Sequence, residues 1–308
     1  MQKDSTSGPR VAIATGPDRR ENIRQAQLLL GEAYLYLLKT AKSIFVHPNL
    51  VTDRRREANT HVDAVRAVLD VIALHRGDAI LVGDASYHNT KKAWERFDFP
   101  SLSRSGNIRF LDLNDDETVD AFAYDRDFVR QRVPFSKTVL HADGSIVVVP
   151  AKMHSYYTVS LALKTHIVGS MVVRSSPFGI HARWPHIHTG YAQAHKTLAD
   201  VYHEHPAHGA IIDGVGAMEG NGPASGEIVN LRWAVASLDP VAADAVACWL
   251  MGFEIGEIGY LTYLARAGYT VDPEAMEIVG EPNWRELRRN LVRPDTFPDI
   301  LGWQHEKV

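Results

Sequence analysis

Apolar residues along this chain come in short runs split by polar turns, and stretches of period two alternate with stretches of helical period. Val11-Ala-Ile-Ala-Thr15 reads as a strand, and leucines and tyrosines at helical spacing from Asp18 to about Thr40 read as one helix. Ser43-Ile-Phe-Val46 is predicted as a strand opening into His47-Pro-Asn-Leu50, Val62 to Ala73 as a helix, and Ala79-Ile-Leu-Val82 as a strand opening into Gly83-Asp-Ala-Ser86. That order is βαβ, with polar residues wherever a strand ends.

Between Ile108 and Val149 the runs shorten, and Asp143-Gly144 stands between Thr138-Val-Leu140 and Ile146-Val-Val-Val149 as a hairpin signal, so antiparallel strands are expected there. Alternation returns with a helix from about Tyr191 to Tyr202, strands at Ala210 and near Trp233-Ala-Val235, and a helix announced by Asp239-Pro240. The expected fold is α/β: a mixed, largely parallel sheet with flanking helices and an antiparallel hairpin insertion. One domain over residues 9–308 is expected after a disordered tail at 1–8, with a subdomain division near 107–150 as the alternative. The apolar stretch Ile255 to Ala267 fits internal packing or a dimer interface equally, so oligomeric state stays open.

Composition narrows the function classes. The 308 residues are 45% hydrophobic, enough for a full core, and the formal charge of −4 with no sustained basic face argues against a nucleic-acid partner. Arg54-Arg55-Arg56 is too short to alter that. No run reaches the roughly 18 apolar residues of a membrane span, and the start lacks a signal-peptide core, so a cytoplasmic location is expected. The one cysteine, Cys248, rules out an internal disulfide framework and a cysteine-ligated iron–sulfur cluster, and within Ala245-Val-Ala-Cys-Trp-Leu250 it reads as a small buried hydrophobe.

The strongest chemical signal is Asp213-Gly-Val-Gly-Ala-Met-Glu-Gly-Asn-Gly-Pro-Ala-Ser-Gly226, read as a glycine-rich loop that follows the strand Ala210-Ile-Ile212 and carries Asp213, Glu219 and Asn221. Ligands of open α/β sheets bind beyond the carboxyl ends of the strands, which makes these residues, and Asn49 and Asp84 after two other strands, candidates for one crevice. A structural turn with Asp213 capping amides, and simple capping by Asn49 and Asp84, are the plainer alternatives. The loop has no P-loop and no dinucleotide fingerprint, so no nucleotide motif is present.

Lys152-Met-His154 and Lys164-Thr-His166 repeat a Lys-x-His pattern at the ends of apolar segments, a set able to hold a carboxylate or phosphate and to pass protons. Nine of the fifteen histidines lie between 154 and 208. Among them His186-Ile-His188 with Asp213 is the metal candidate, a two-histidine, one-carboxylate set for iron, manganese or zinc. Most histidines of the Tyr191–His205 segment, which reads as a solvent-facing helix, are expected to decorate the surface. Asp244, a charge in an apolar helix, either faces the site or favours the helix N-terminus.

His47-Pro-Asn-Leu-Val51, Val82-Gly-Asp-Ala-Ser86, Pro150-Ala-Lys-Met-His154, Leu161-Ala-Leu-Lys-Thr-His-Ile-Val-Gly169, the Asp213–Pro223 segment and Ala236-Ser-Leu-Asp-Pro-Val-Ala-Ala-Asp-Ala-Val246 together resemble the DUF362 family, a domain of unknown function, over about Ile44 to Pro282. The resemblance implies no activity. Relatives usually read Lys-x-Lys-Thr-His where this chain has Ala151-Lys-Met-His154, and many carry a ferredoxin-like cluster module for which this chain has no cysteines.

The expected function is an enzyme acting on a small anionic metabolite by acid–base isomerase or lyase chemistry, metal-assisted in one version. Lys152, Lys164, Asn49, Asp84 and Asn221 would bind the substrate, while His154, His166, Asp213 and Glu219 would move protons. An iron-dependent oxidative enzyme and a non-catalytic anion-binding protein are the alternatives.

Overall fold

The computed structural model describes residues 8–86, 88–105, 107–172 and 187–306. In chain order the strands are β1 (Arg10–Thr15), β2 (Ile44–Pro48), β3 (Ile80–Asp84), β4 (Ile108–Asp112), β5 (Thr118–Tyr124), β6 (Arg130–Ser136), β7 (Gly144–His154), β8 (Thr158–Ser160), β9 (Gly209–Glu219), β10 (Glu227–Ser237) and β11 (Glu277–Gly280). The helices are α1 (Arg19–Leu29), α2 (Glu32–Thr40), α3 (Val62–Ala73), α4 (Thr90–Arg96), α5 (Lys137–Leu140), α6 (Ala162–Ser170), α7 (Tyr191–Glu204), α8 (Pro240–Leu250), α9 (Gly259–Arg266) and α10 (Phe297–Ile300). Nine strands form one sheet in the order β11-β1-β10-β9-β7-β2-β3-β4, with β8 on the end of β7, and β5 pairs with β6 as a separate antiparallel hairpin. The pairs β9–β7, β7–β2, β2–β3 and β3–β4 are parallel, while β10 runs antiparallel to both its neighbours.

Period two decides which face each apolar side chain covers. On β7, Val147, Val149, Ala151 and Met153 join one core with α6 to α9, while Ile146 and Val148 join the other with α1 and α3. β1 and β10 divide the same way, Val11, Ile13, Trp233 and Val235 on one side and Ala12, Ala14, Ala234 and Ala236 on the other. Covering both faces is why these strands read as unbroken apolar runs.

Several expectations change. The helix expected over 18–40 is two helices, α1 capped by Asp18 and separated from α2 at Gly31, whose φ of 68° suits glycine. Asp143-Gly144 makes no hairpin: α5 precedes it, Gly144 opens β7, and the hairpin of this region is β5–β6. β4 joins the main sheet in parallel rather than an antiparallel set.

The largest change concerns Asp213 to Gly226. β9 continues through the glycines to Glu219, pairing with β10 across register shifts at Val229/Asn230 and Asn230/Ala234. The glycines serve this irregular pairing: a Cβ at Gly214 would lie 2.7 Å from the Trp233 ring, and Gly216 has φ 85°. Only Gly220 to Gly226 remains as loop. Ile255 to Ala267 packs internally, with α9 against α7 and Tyr260, Leu261 and Leu264 buried.

Candidate functional site

β2, β3 and β7 are parallel neighbours, so Asn49, Asp84 and His154 emerge at one edge of the sheet. From β4 the chain crosses back to β7 on the other side of β2, and order reversal of this kind opens a crevice. A cavity of 690 Å³ lies there, lined by Asn49–Thr52, Arg54, Arg55, Asp84, Ala85, His88, His154–Tyr156, residues of α6, Ile187, His188 and the loop Asn221–Ser225.

Helix α6 forms one wall. Its first amides, Ala162 N and Leu163 N, donate to the carboxylate of Asp244 on α8 at 2.8 and 3.1 Å, and Tyr260 OH donates to the same carboxylate at 2.9 Å. Asp244 thus caps a different helix from its own, resolving the alternatives the sequence left open. Farther along α6, Gly169 meets the strand ends: a Cβ there would lie 2.6 Å from Asp84 Oδ1 and 2.7 Å from His47 Nε2. This approach sets Lys164 and Thr165 against the cavity, with Lys164 Nζ 5.8 Å from the centre of the Tyr157 ring.

The opposite wall is the 220–226 loop. Gly222 sits where a Cβ would fall 2.0 Å from Met153 O, and its own carbonyl accepts from Ser155 N and Oγ. Arg55 ties the loop down, donating to Ala224 O at 2.7 Å and Gly226 O at 2.8 Å.

Lys152 is fully buried, its Nζ bonded to Asn49 Oδ1 and to Ala58 O at 2.6 Å, with no carboxylate among these partners. Burial, then the charge of Lys164, push its ammonium well below the usual lysine range, with Asp84 opposing. Both oxygens of Asp84 are engaged, one by His47 Nε2 at 3.2 Å and the other by Leu50 N at 2.6 Å.

His154 has a fixed role. Its Nδ1 accepts from Tyr156 N at 3.0 Å and Tyr157 N at 3.3 Å, which places the ring proton on Nε2 and makes that nitrogen a donor. Burial, then the Lys164 charge, hold the imidazole well below its usual range, so it stays neutral. His88 is oriented the other way, with Nδ1 3.4 Å from Val51 O, so Nδ1 is the nitrogen that faces an acceptor.

Of the residues singled out in the sequence, the cavity gathers Asn49, Asp84, His154, Lys164, Asn221 and His188. Asn221 is held at both ends of its amide by Asp295. Lys152 reaches the site through Asn49. Three others lie elsewhere. His166 is buried with Nε2 3.0 Å from His205 O, its pKa pushed to about 3, chiefly by burial. Asp213 is buried in an ion pair with Arg19 at 2.5 Å, and burial raises its carboxyl to about 6 against the pull of that partner. Glu219 accepts from Val292 N at 3.0 Å. Asp213 and Glu219 left the site because β9 runs past the point where the glycines suggest a loop.

His186 lies outside the described residues. Of its expected partners in a metal set, Asp213 is paired with Arg19, and among the described residues no three His, Cys, Asp or Glu side chains converge to hold a metal. Sequence reading missed His88, Arg54, Arg55 and Tyr156. His88 was signalled by its place after the end of β3. The arginine run, weighed only as a basic patch, lies at the cavity.

Fold and site together define an open α/β protein with a cation-rich crevice beyond the carboxyl ends of its parallel strands. The family model described as domain of unknown function, DUF362, matches residues 44–249, and the chain belongs to that family. No curated protein matches it in sequence. Among solved structures it is similar to the lactate racemase apoprotein from Thermoanaerobacterium thermosaccharolyticum, with TM-score 0.50 and 14% identity over 80% of this chain and 58% of that one. A Thermotoga maritima protein gives TM-score 0.43 and 16% identity over 66% of this chain and 52% of that one. This chain spans less than two thirds of either, and at such identities the first likeness shows the fold alone.

Proposed function

We propose that this protein is an enzyme that binds a small metabolite bearing a carboxylate or phosphate and moves a proton beside that group, as an isomerase or lyase does. The observation that carries the reading is the convergence, in one cavity, of Lys164, Arg54 and Arg55 with two imidazoles, His154, whose Nδ1 accepts backbone amides, and His88, whose Nδ1 faces a carbonyl. Lys164 and His154 Nε2–H supply a charge and a donor for the anion's oxygens, and charge building there in a transition state is stabilised by the same groups. In this reading His88 is the base, taking a proton from the carbon alongside through Nε2 when its ring is neutral. Lys152 holds Asn49 in place from beneath. The likeness in fold to a protein named for lactate racemisation agrees with a small carboxylate as substrate and adds no residue correspondence.

Incubation with a panel of 2-hydroxy acids in D2O, followed by proton NMR, tests this reading. Loss of the proton next to the carboxylate with at least one acid, abolished in His88→Ala and in folded Lys164→Met, is the expected result. Binding without exchange for every acid would make the protein a binder and overturn the catalytic part.

A further inference from the structure

The size and walls of the cavity say more about the ligand than the charge does. Its 690 Å³ falls within the roughly 300–1,000 Å³ of sites that enclose drug-sized ligands, and equals the liquid volume of about twenty waters. A two- or three-carbon acid would occupy a small part of it. The polar groups that recognise an anion, Lys164, His154, Asn49 and Thr165, come from strand ends and the first turns of α6. The rest of the lining mixes polar groups, among them Arg54, Arg55, His88 and Asn221, with apolar surface from Leu50, Val51, Val168, Ile187 and Pro223, and most of the exposed area is apolar. Tyr156 adds an aromatic wall whose orientation is fixed beforehand: its ring lies 4.3 Å from that of His188 and 4.8 Å from that of Tyr191, and its hydroxyl accepts from Gly190 N at 2.9 Å.

Resting on the anion reading above, we infer that the substrate is an amphipathic acid, a carboxylate or phosphate head joined to an aromatic or branched apolar body. The head meets Lys164 and His154, and the body displaces water from the apolar parts of the lining, which include Val51, Val168, Pro223 and Tyr156. Water held against such a wall is released when an apolar group covers it, and burial of one phenyl ring strengthens binding by about 50-fold on the usual area scale.

Isothermal titration of the full chain with four probes tests this: L-lactate, inorganic phosphate, 3-phenyllactate, and the uncharged 3-phenyl-1,2-propanediol. The expected result is that 3-phenyllactate binds at least 10-fold tighter than lactate, with a more negative heat-capacity change, and at least 10-fold tighter than the diol. Equal affinity for lactate and 3-phenyllactate would overturn the inference and leave the anion reading standing. Equal affinity for the diol and 3-phenyllactate would overturn the charged head. No binding by any of the three anions would overturn the anion reading itself, and this inference with it.

Discussion

Replacing Asp244 by asparagine should change the pH dependence of stability more than its level at low pH. Asp244 has no exposed surface, and burial raises its carboxyl from 3.8 to about 7 even though Leu163 N, Ala162 N and Tyr260 OH all pull the other way. In the unfolded chain the group ionises at its ordinary value. Between those two values the native state binds the extra proton, so stability present at low pH is lost as pH rises through the window. A displacement from 3.8 to about 7 is worth about 4 kcal/mol, of which about 3 kcal/mol falls between pH 5 and 8. An asparagine amide does not titrate, but its Nδ2 accepts nothing, so at least one donor that meets Asp244 loses its acceptor at every pH. The variant should therefore lie below the wild type near pH 4 by a pH-independent cost of about 1–3 kcal/mol for the unpaired donor and gain on it by about 3 kcal/mol from pH 5 to 8. Urea denaturation at matched pH and constant ionic strength measures the difference, in which other titrating groups cancel. A difference, variant minus wild type, that stays flat within about 1 kcal/mol, or that falls with pH, would refute the argument and show that capping of α6, not burial, governs this carboxyl.

Other outcomes follow from the same geometry. Gly169→Ala drives a methyl into the His47–Asp84 contact and should destabilise by about 1–3 kcal/mol in urea denaturation, with weaker anion binding because α6 must back away. Arg19→Met leaves Asp213 buried without its partner and should cost about 3–5 kcal/mol, yet leave anion affinity unchanged, since neither residue lines the cavity. His195→Phe should blunt acid unfolding. Burial takes this imidazole from 6.5 to about 3, so the unfolded chain binds the proton first and stability falls as pH drops below 6.5. Removing it deletes about 3 kcal/mol of that loss between pH 7 and 4, out of about 5 kcal/mol for the whole displacement, measured by denaturation across that range.

The sheet was legible wherever strands are covered on both faces and bounded by polar turns. β2, β3 and α3 stand where the pattern puts them, α3 to the residue, and Asp239-Pro240 opens α8 as its capping chemistry requires. What misled was burial on all sides. Every residue of α6 is buried, so the sequence from Val159 onward shows no polar face and reads only as an apolar segment, with no helix signalled. His195 looked like surface decoration because a histidine counts as polar, yet in α7 it is enclosed by Tyr157, Tyr260 and Trp303. In β9 the glycines that suggested a loop accommodate Trp233 and an irregular register, which only the partner strand reveals. The site was half legible for a related reason. Strand ends of a parallel sheet share an edge, which brought Asn49, Asp84 and His154 together, whereas His88 and the arginines depend on how the β3–α4 and β2–α3 connections fold over that edge.

The most direct test of the central claim, that an anion binds between Lys164 and His154 at this edge, is a nitrogen-15 NMR titration of histidine-labelled protein with L-lactate and with inorganic phosphate. Movement of the His154 and His88 imidazole signals, while buried His166 and His195 stay still, is the result this account predicts. Saturating anion that leaves His154 and His88 unmoved would contradict it.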